Sequence, residues 1–488
     1  MSEEKVPLSH IAMVSPEVTP FAKSGGLADA ASGLALALER LGLKITIILP
    51  AYRSVLKSQP NLRETPFSLT VTVSDREVAA TVLKNNLGNG IRVYAVRADQ
   101  YYNRDSLYAT SDGDYPDNAE RFAFFSRAAL EILRYDPPQI LHCHDWQSAL
   151  AIAFYKAQPE RYAELNRLRT VFTIHNLGYQ GLFSYSDWHL LNLDHSYFSP
   201  SYLEFYGKIN FLKAGLVFAD AITTVSPTYA EDIKTAEQGF GLEGVLRERS
   251  ANLVGILNGA DYSVWNPETD PFVAKNYSIE NLSQKKICKA DVQRALGLPE
   301  SPDIPLLAMV SRLTSQKGFD LLEKMLDELL RRELQFAVLG TGEKRYESFF
   351  KQAASRYPEK VAVKIRFDEA LAHRIEAGAD LFLMPSLYEP CGLNQIYSLK
   401  YGTIPIVRAT GGLRDTVRDY TTPSNGTGFV FGPYEPSALL QAVDRALELF
   451  SKKEEWRFLI KRAMREDFSW NQSAKAYFDL YQKLASIV

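Results

Sequence analysis

Short, almost uninterrupted apolar runs alternate with longer amphipathic stretches through most of this chain. The first run, IAMV within residues 10–15, reads as a buried strand. Leu27, Leu34, Leu38 and Leu41 then recur at helical spacing, Gly42 closes that helix, and KITIIL at 44–49 is the next strand. A strand, a helix and a strand in that order form a βαβ unit, whose natural setting is a parallel sheet. Residues 65–97 read as short strands and hairpins, with Asn89-Gly90 as a turn, and 119–134 as an amphipathic helix. Further strands are expected at 140–143, 169–174, 220–225 and 253–257.

From Pro267 to Pro305 the periodicity weakens and prolines interrupt it, so the interdomain connection is placed there. A second alternating series follows. Strands are expected at 306–310, 335–339, 361–367, 380–384 and 404–408, with helices at 319–334, 369–377, 393–401, 437–451 and from about 472. The fold class is therefore α/β, with two Rossmann-like, doubly wound domains facing across a cleft. The expected division is residues 1–262, residues 263–465 and a terminal helix, 466–488.

Composition narrows the class. At 488 residues the chain exceeds one ordinary core. A net charge of −3 argues against a nucleic-acid partner, which usually requires a basic face. No apolar run approaches the ~18–20 residues that span a bilayer, and MSEEKVPLSH does not read as a secretory signal. Three cysteines without paired spacing argue against a disulfide framework. The expected setting is the cytoplasm, or the plastid stroma for a mature plant-type form.

Candidate chemistry gathers at expected strand ends, where free backbone N–H groups and helix dipoles face outward. In MPSLYEPCGLNQIYSLKYGTIPIVRATGGLRDTV (384–417), one strand ends in a turn holding Glu389 and Cys391. The next breaks at Thr410-Gly411-Gly412. An acidic turn beside a glycine-rich turn suits a sugar joined to a phosphate. Arg312 and Lys317 follow the first strand of the second series and can neutralise a departing diphosphate without a metal. In the first series, Lys23-Ser24-Gly25-Gly26 opens a helix, and two strands end in His142-Cys143-His144-Asp145-Trp146-Gln147 and His175-Asn176. His142 and His144 share a strand face but lack an evident third metal ligand. Asp112-Gly113-Asp114 is read as a surface turn, and Cys391 as a small buried residue.

Several stretches together resemble the bacterial glycogen synthases and plant starch synthases: KSGGLAD (23–29), YPDNAERF (115–122), HDWQ (144–147), TIHNLGYQG (173–181), TVSPTYA (224–230), ILNGADYSVWNP (256–267), SRLTSQKG (311–318) and 384–417. These are retaining glucosyltransferases of the two-Rossmann-domain (GT-B) type. The resemblance implies transfer of glucose from ADP-glucose to the non-reducing 4-hydroxyl of an α-1,4-glucan, with no metal and no cofactor, no nucleic acid and no membrane. It implies that the terminal helix, 466–488, returns to the first domain, and it implies catalytic roles for His175, Glu389, Arg312, Lys317 and Asp145. The nucleotide sugar would meet Lys23, Gly25, Gly26, Asp29, Asn258, Arg312, Lys317, Glu389, Cys391, Gly392, Leu393, Thr410, Gly411 and Gly412. The acceptor would meet Tyr102, Asp145, Trp146, Gln147, Asn176 and Tyr179. Leu387-Tyr388 stand where many members have Arg-Phe, and Ala260 replaces a common Ile. A UDP-glucose donor, a phosphorylase using pyridoxal phosphate and an inactive glucan-binding scaffold are the rival readings.

Overall fold

The computed structural model describes residues 8–110, 113–421 and 425–486, and it divides into two compact units. The first comprises Met1–Val225, Ala230–Gly259 and Trp470–Val488; the second comprises Ser226–Tyr229 and Ala260–Ser469. Asp112 of the expected Asp112-Gly113-Asp114 turn lies outside the described residues.

In the first unit nine strands form one sheet: β1 (His10–Val14), β2 (Lys44–Pro50), β3 (Arg63–Val73), β4 (Arg76–Leu87), β5 (Ile91–Arg97), β6 (Ile140–His144), β7 (Arg169–Ile174), β8 (Ala221–Thr224) and β9 (Leu253–Gly255). Their spatial order is 9-8-7-6-1-2-5-4-3. Seven run parallel, and β3 and β4 complete an antiparallel meander on β5. Every residue of β1 and β6 is buried, as expected of strands covered on both faces. The chain order reverses beside β1, so the ends of β1 and β6 lie at a topological switch point.

The second unit holds β10 (Leu306–Val310), β11 (Gln335–Leu339), β12 (Val361–Lys364), β13 (Leu381–Met384), β14 (Ile404–Arg408) and β15 (Phe429–Phe431), all parallel. Their order, 12-11-10-13-14-15, is the doubly wound Rossmann arrangement with its switch point between β10 and β13. Alternate residues enter separate cores. Leu307, Met309, Leu381 and Leu383 join one, while Leu306, Ala308, Phe382 and Met384 join the other. That two-sided burial explains why these strands read as solid apolar runs.

The stretch expected as an interdomain connection is instead built into the second unit. Trp265 stacks between His373 and Tyr397, with ring centroids 3.7 and 4.1 Å away. Asp270 accepts from His373 and from the Tyr401 hydroxyl, and the Tyr277 hydroxyl donates to the Tyr401 carbonyl at 2.7 Å. A helix at Lys285–Leu296 follows. Side-chain hydrogen bonds and ring stacking hold this segment, and neither leaves a periodic trace in sequence. Among the described residues, no helix is long and apolar enough to cross a membrane.

Candidate functional site

The second unit gathers its candidate residues at the ends of three adjacent strands. After β10 the chain makes a short 3-10 turn, Ser315–Lys317, and Gly318 starts the helix Phe319–Leu329. After β13 comes the acidic turn; after β14 come Thr410 and the six-residue helix Gly411–Thr416. Glu389 is buried there. Lys317 Nζ lies 2.6 Å from its Oε2 and 2.9 Å from its Oε1, and the Ser386 hydroxyl donates to Oε2 at 2.9 Å. The Lys317 and Glu389 side chains are 18% and 7% exposed, so this pair is screened far less than a surface ion pair.

Glycines let the turns meet backbone to backbone. A Cβ on Gly318, whose φ is +79°, would lie 2.1 Å from the Pro385 carbonyl oxygen; one on Gly411, at φ +43°, would lie 1.9 Å from that of Glu389. Gly412 N–H donates to the carbonyls of Glu389 (3.1 Å) and Pro390 (3.2 Å). The glycine-rich turn therefore spends this donor on the acidic turn, where the sequence suggested a phosphate contact. Thr410 Oγ1, in contrast, is buried with no partner among the described residues. Cys391 is buried, Gly392 has φ +73° and Leu393 is half-buried beside Tyr397. Arg312 is exposed just beyond β10.

Sequence reasoning missed Arg408. It ends β14, donates to the Leu387 carbonyl and lies 5.4 Å from the Tyr434 ring centroid. The signal was available, because Arg408 closes β14 much as Arg312 follows β10. Ser226, from TVSPTYA, donates its hydroxyl to the Pro390 carbonyl at 2.6 Å, and Thr228 donates to Asp415.

The first unit collects a second group at the ends of β1, β6 and β7. Lys23 pairs with Asp29 at 2.9 Å, and Thr19 donates to the same carboxylate at 2.9 Å. Gly25 is extended, a Cβ there would meet nothing within 4 Å, and no side chain caps the helix Gly26–Arg40 that follows. Glu17, also missed, organises this turn. Its buried carboxylate accepts from the Ser24 N–H, the Ser24 hydroxyl (2.6 Å) and the Tyr108 hydroxyl (2.7 Å). Nothing in sequence links Tyr108 to Glu17.

Asp145 stands just before the helix Trp146–Ala157, in a strained backbone position at φ +56°, and makes no side-chain bond to that helix's N-terminus. Its Oδ1 accepts the His175 N–H at 2.7 Å. Burial pushes its carboxyl up to about 7 against the backbone N–H groups of His175 and Asn176, and the charge of Glu17 adds to the rise. His144 Nδ1 lies 3.0 Å from His175 Nε2. Burial lowers His175 to about 3 and holds His144 well below the ordinary imidazole range. His142 is committed elsewhere, with Nδ1 at 2.7 Å from the Tyr481 hydroxyl and Nε2 at 2.5 Å from Thr173 Oγ1.

The expected acceptor residues divide. Tyr179 is 49% exposed and Asn176 half-buried. Trp146 packs among Phe122, Phe183 and Phe211, and Gln147 is buried with its Oε1 unpartnered among the described residues. Tyr102 is wholly buried, edge-on to Tyr52, and donates to the Arg121 carbonyl at 3.0 Å. It serves the core and offers a glucan no surface. Asn258 is buried and held by its backbone to Val225.

Residues 10–248 match the family model described as starch synthase catalytic domain, and residues 295–460 that of glycosyl transferases group 1. The chain is 48% identical over 480 residues to the glycogen synthase of Koribacter versatilis (strain Ellin345), spanning 98% of this chain and 99% of that protein. It is 48% identical over 482 residues to the glycogen synthase of Anaeromyxobacter sp. (strain Fw109-5), with 98% and 99% covered. Among solved structures, the catalytic domain of starch synthase IV from Arabidopsis thaliana, bound to ADP and acarbose, superposes with a TM-score of 0.90 at 32% identity, covering 98% of this chain and 100% of that one. With two doubly wound units, charged groups at both switch points and this likeness over its whole length, the chain belongs to the glycogen and starch synthase family of glycosyltransferases.

Proposed function

We propose that this protein transfers glucose from ADP-glucose to the non-reducing 4-hydroxyl of an α-1,4-glucan, with retention. The carrying observation is the buried Lys317–Glu389–Ser386 cluster at the second switch point. The ADP bound to the Arabidopsis relative favours an adenine over a uridine nucleotide. Arg312 and Lys317 neutralise the diphosphate as its bond to the anomeric carbon breaks, with Lys23 meeting the phosphates beside Gly26. Glu389 receives three hydrogen bonds from Lys317 and Ser386, which lowers its nucleophilicity and suits it to hold the glucose and balance positive charge at the anomeric carbon. Attack on the same face follows. The acceptor O4 bonds to the anomeric carbon, the carbon–phosphate oxygen bond breaks, and the O4 proton passes to the leaving phosphate. His175, Asp145, Asn176 and Tyr179 line the acceptor part. The reaction requires no metal or cofactor, and we place it in the cytoplasm.

Purified protein given labelled ADP-glucose and glycogen is expected to lengthen the glucan. Lys317→Ala and Glu389→Ala are each expected to lose about 10²–10³-fold in kcat. Transfer from UDP-glucose alone would overturn the donor assignment; transfer from neither would point to a glucan-binding scaffold. Full activity in both variants would remove the site.

A further inference from the structure

His144 ends β6 with 1% of its surface exposed, and its contact with His175 fixes more than a distance. Its low pKa and that of His175 leave both rings neutral at pH 7, each with one N–H. Across the 3.0 Å contact one nitrogen must donate and the other accept. The second nitrogen of His144, Nε2, is buried and unpartnered among the described residues. His142, whose ring centroid is 4.1 Å from that of His144, cannot serve it, because both its nitrogens are engaged by Tyr481 and Thr173. If His175 donated, the His144 proton would sit on Nε2 as a buried N–H with no acceptor. Orphaned buried donors are rarer than under-satisfied acceptors. If His144 donates from Nδ1, only a bare lone pair is left unmatched.

We propose that His144 is a positioning residue, whose Nδ1–H donates to His175 Nε2 and holds His175 as its Nδ1–H tautomer. His175 is half-buried, and its Nδ1 has no hydrogen bond within the described residues yet is absent from the buried unpartnered atoms. It therefore offers a proton at the strand end, selecting an oxygen acceptor such as a sugar hydroxyl or phosphate oxygen. The use of that proton on a sugar nucleotide rests on the function proposed above; the tautomer does not.

The test is ¹⁵N NMR of histidine-labelled protein, practicable with seven histidines in the sequence, using His175→Gln to assign the signals. We expect a protonated Nδ1 and a bare Nε2 on His175. The reverse pattern in the wild-type protein overturns the proposal without recourse to any variant of His144. His144→Phe, which removes the donor, should mix the two tautomers and lower kcat about 10–100-fold with little change in KM. His144→Asn, with an amide donor near the former Nδ1, should restore the tautomer and part of kcat. An unchanged His175 spectrum in His144→Phe would also overturn the proposal. The expected tautomer in a protein that transfers no sugar would support it and defeat only the functional reading.

Discussion

At the residue scale, two positions show how much depends on contacts between turns. Gly411 has φ +43° and no room for a methyl group, since a Cβ would lie 1.9 Å from the Glu389 carbonyl oxygen. Gly411→Ala should destabilise the second unit by about 2–4 kcal/mol through left-handed strain and overpacking. It should also displace Glu389, so urea unfolding and the transfer assay should fall together; unchanged values in both would mean that the turns are not interlocked. Glu17→Gln tests the turn after β1 in the first unit. A glutamine keeps the shape but removes the charge that accepts from Ser24 and Tyr108. The expected outcome is a roughly tenfold rise in KM for the nucleotide sugar, about one charge-assisted hydrogen bond, with kcat changed less. Lys317 and Glu389 were legible because charged residues after apolar strands announce themselves. Glu17 also follows an apolar strand, but its role exists only once Tyr108, far along the chain, folds onto it.

At the element scale, β6 carries a pH dependence. His142 and His144 are buried and neutral, with folded pKa values depressed, His142 to about 3. An unfolded chain takes protons on both near pH 6.5, so stability is lost as pH falls below that value. Asp145 opposes this, since its raised carboxyl, at about 7, favours the folded state as pH falls from there towards 4. His175, likewise lowered to about 3, acts in the same direction, so three histidines against one aspartate leave about two net protons taken up on unfolding, or about 2.7 kcal/mol per pH unit between roughly pH 4 and 6. Urea midpoints at pH 7 and pH 5 should show this loss for the first unit, and His142→Phe should reduce the slope. A flat profile would mean that these rings are not held neutral. The strands themselves were readable from their apolar runs, but the destination of each histidine nitrogen was not. Tyr481 and His175 reach them from distant parts of the sequence.

At the scale of the whole molecule, the units differ in how the chain builds them. The second is nearly continuous, Ala260–Ser469 with only Ser226–Tyr229 added, whereas the first takes its last helix from the far end of the chain. That helix, Trp470–Ala485, packs on Gly26–Arg40. Trp470 fills the space above Gly33, where a Cβ would lie 2.0 Å from its indole nitrogen. Tyr477 and Tyr481 are buried, and Tyr481 holds His142. Three buried aromatic side chains at roughly 150–250 Å² each, and about 25 cal/mol per Å², contribute roughly 11–19 kcal/mol as an upper bound. That exceeds the whole stability of many domains, about 5–15 kcal/mol. The alternation of strands and helices made both units visible in sequence; it could not show that removing nineteen terminal residues, 470–488, would strip the first unit alone. A chain ending at Ser469 should therefore lose the cooperative unfolding of its first unit and all transfer activity. A fragment of residues 260–469 should still melt cooperatively and keep dispersed amide resonances, because Trp265, Asp270, Tyr277 and the six-stranded sheet close its core from within. Calorimetry of the two shortened chains separates the outcomes. A truncated chain that retains both transitions would show that the terminal helix is an accessory, and an unfolded 260–469 fragment would show that the second unit depends on Ser226–Tyr229.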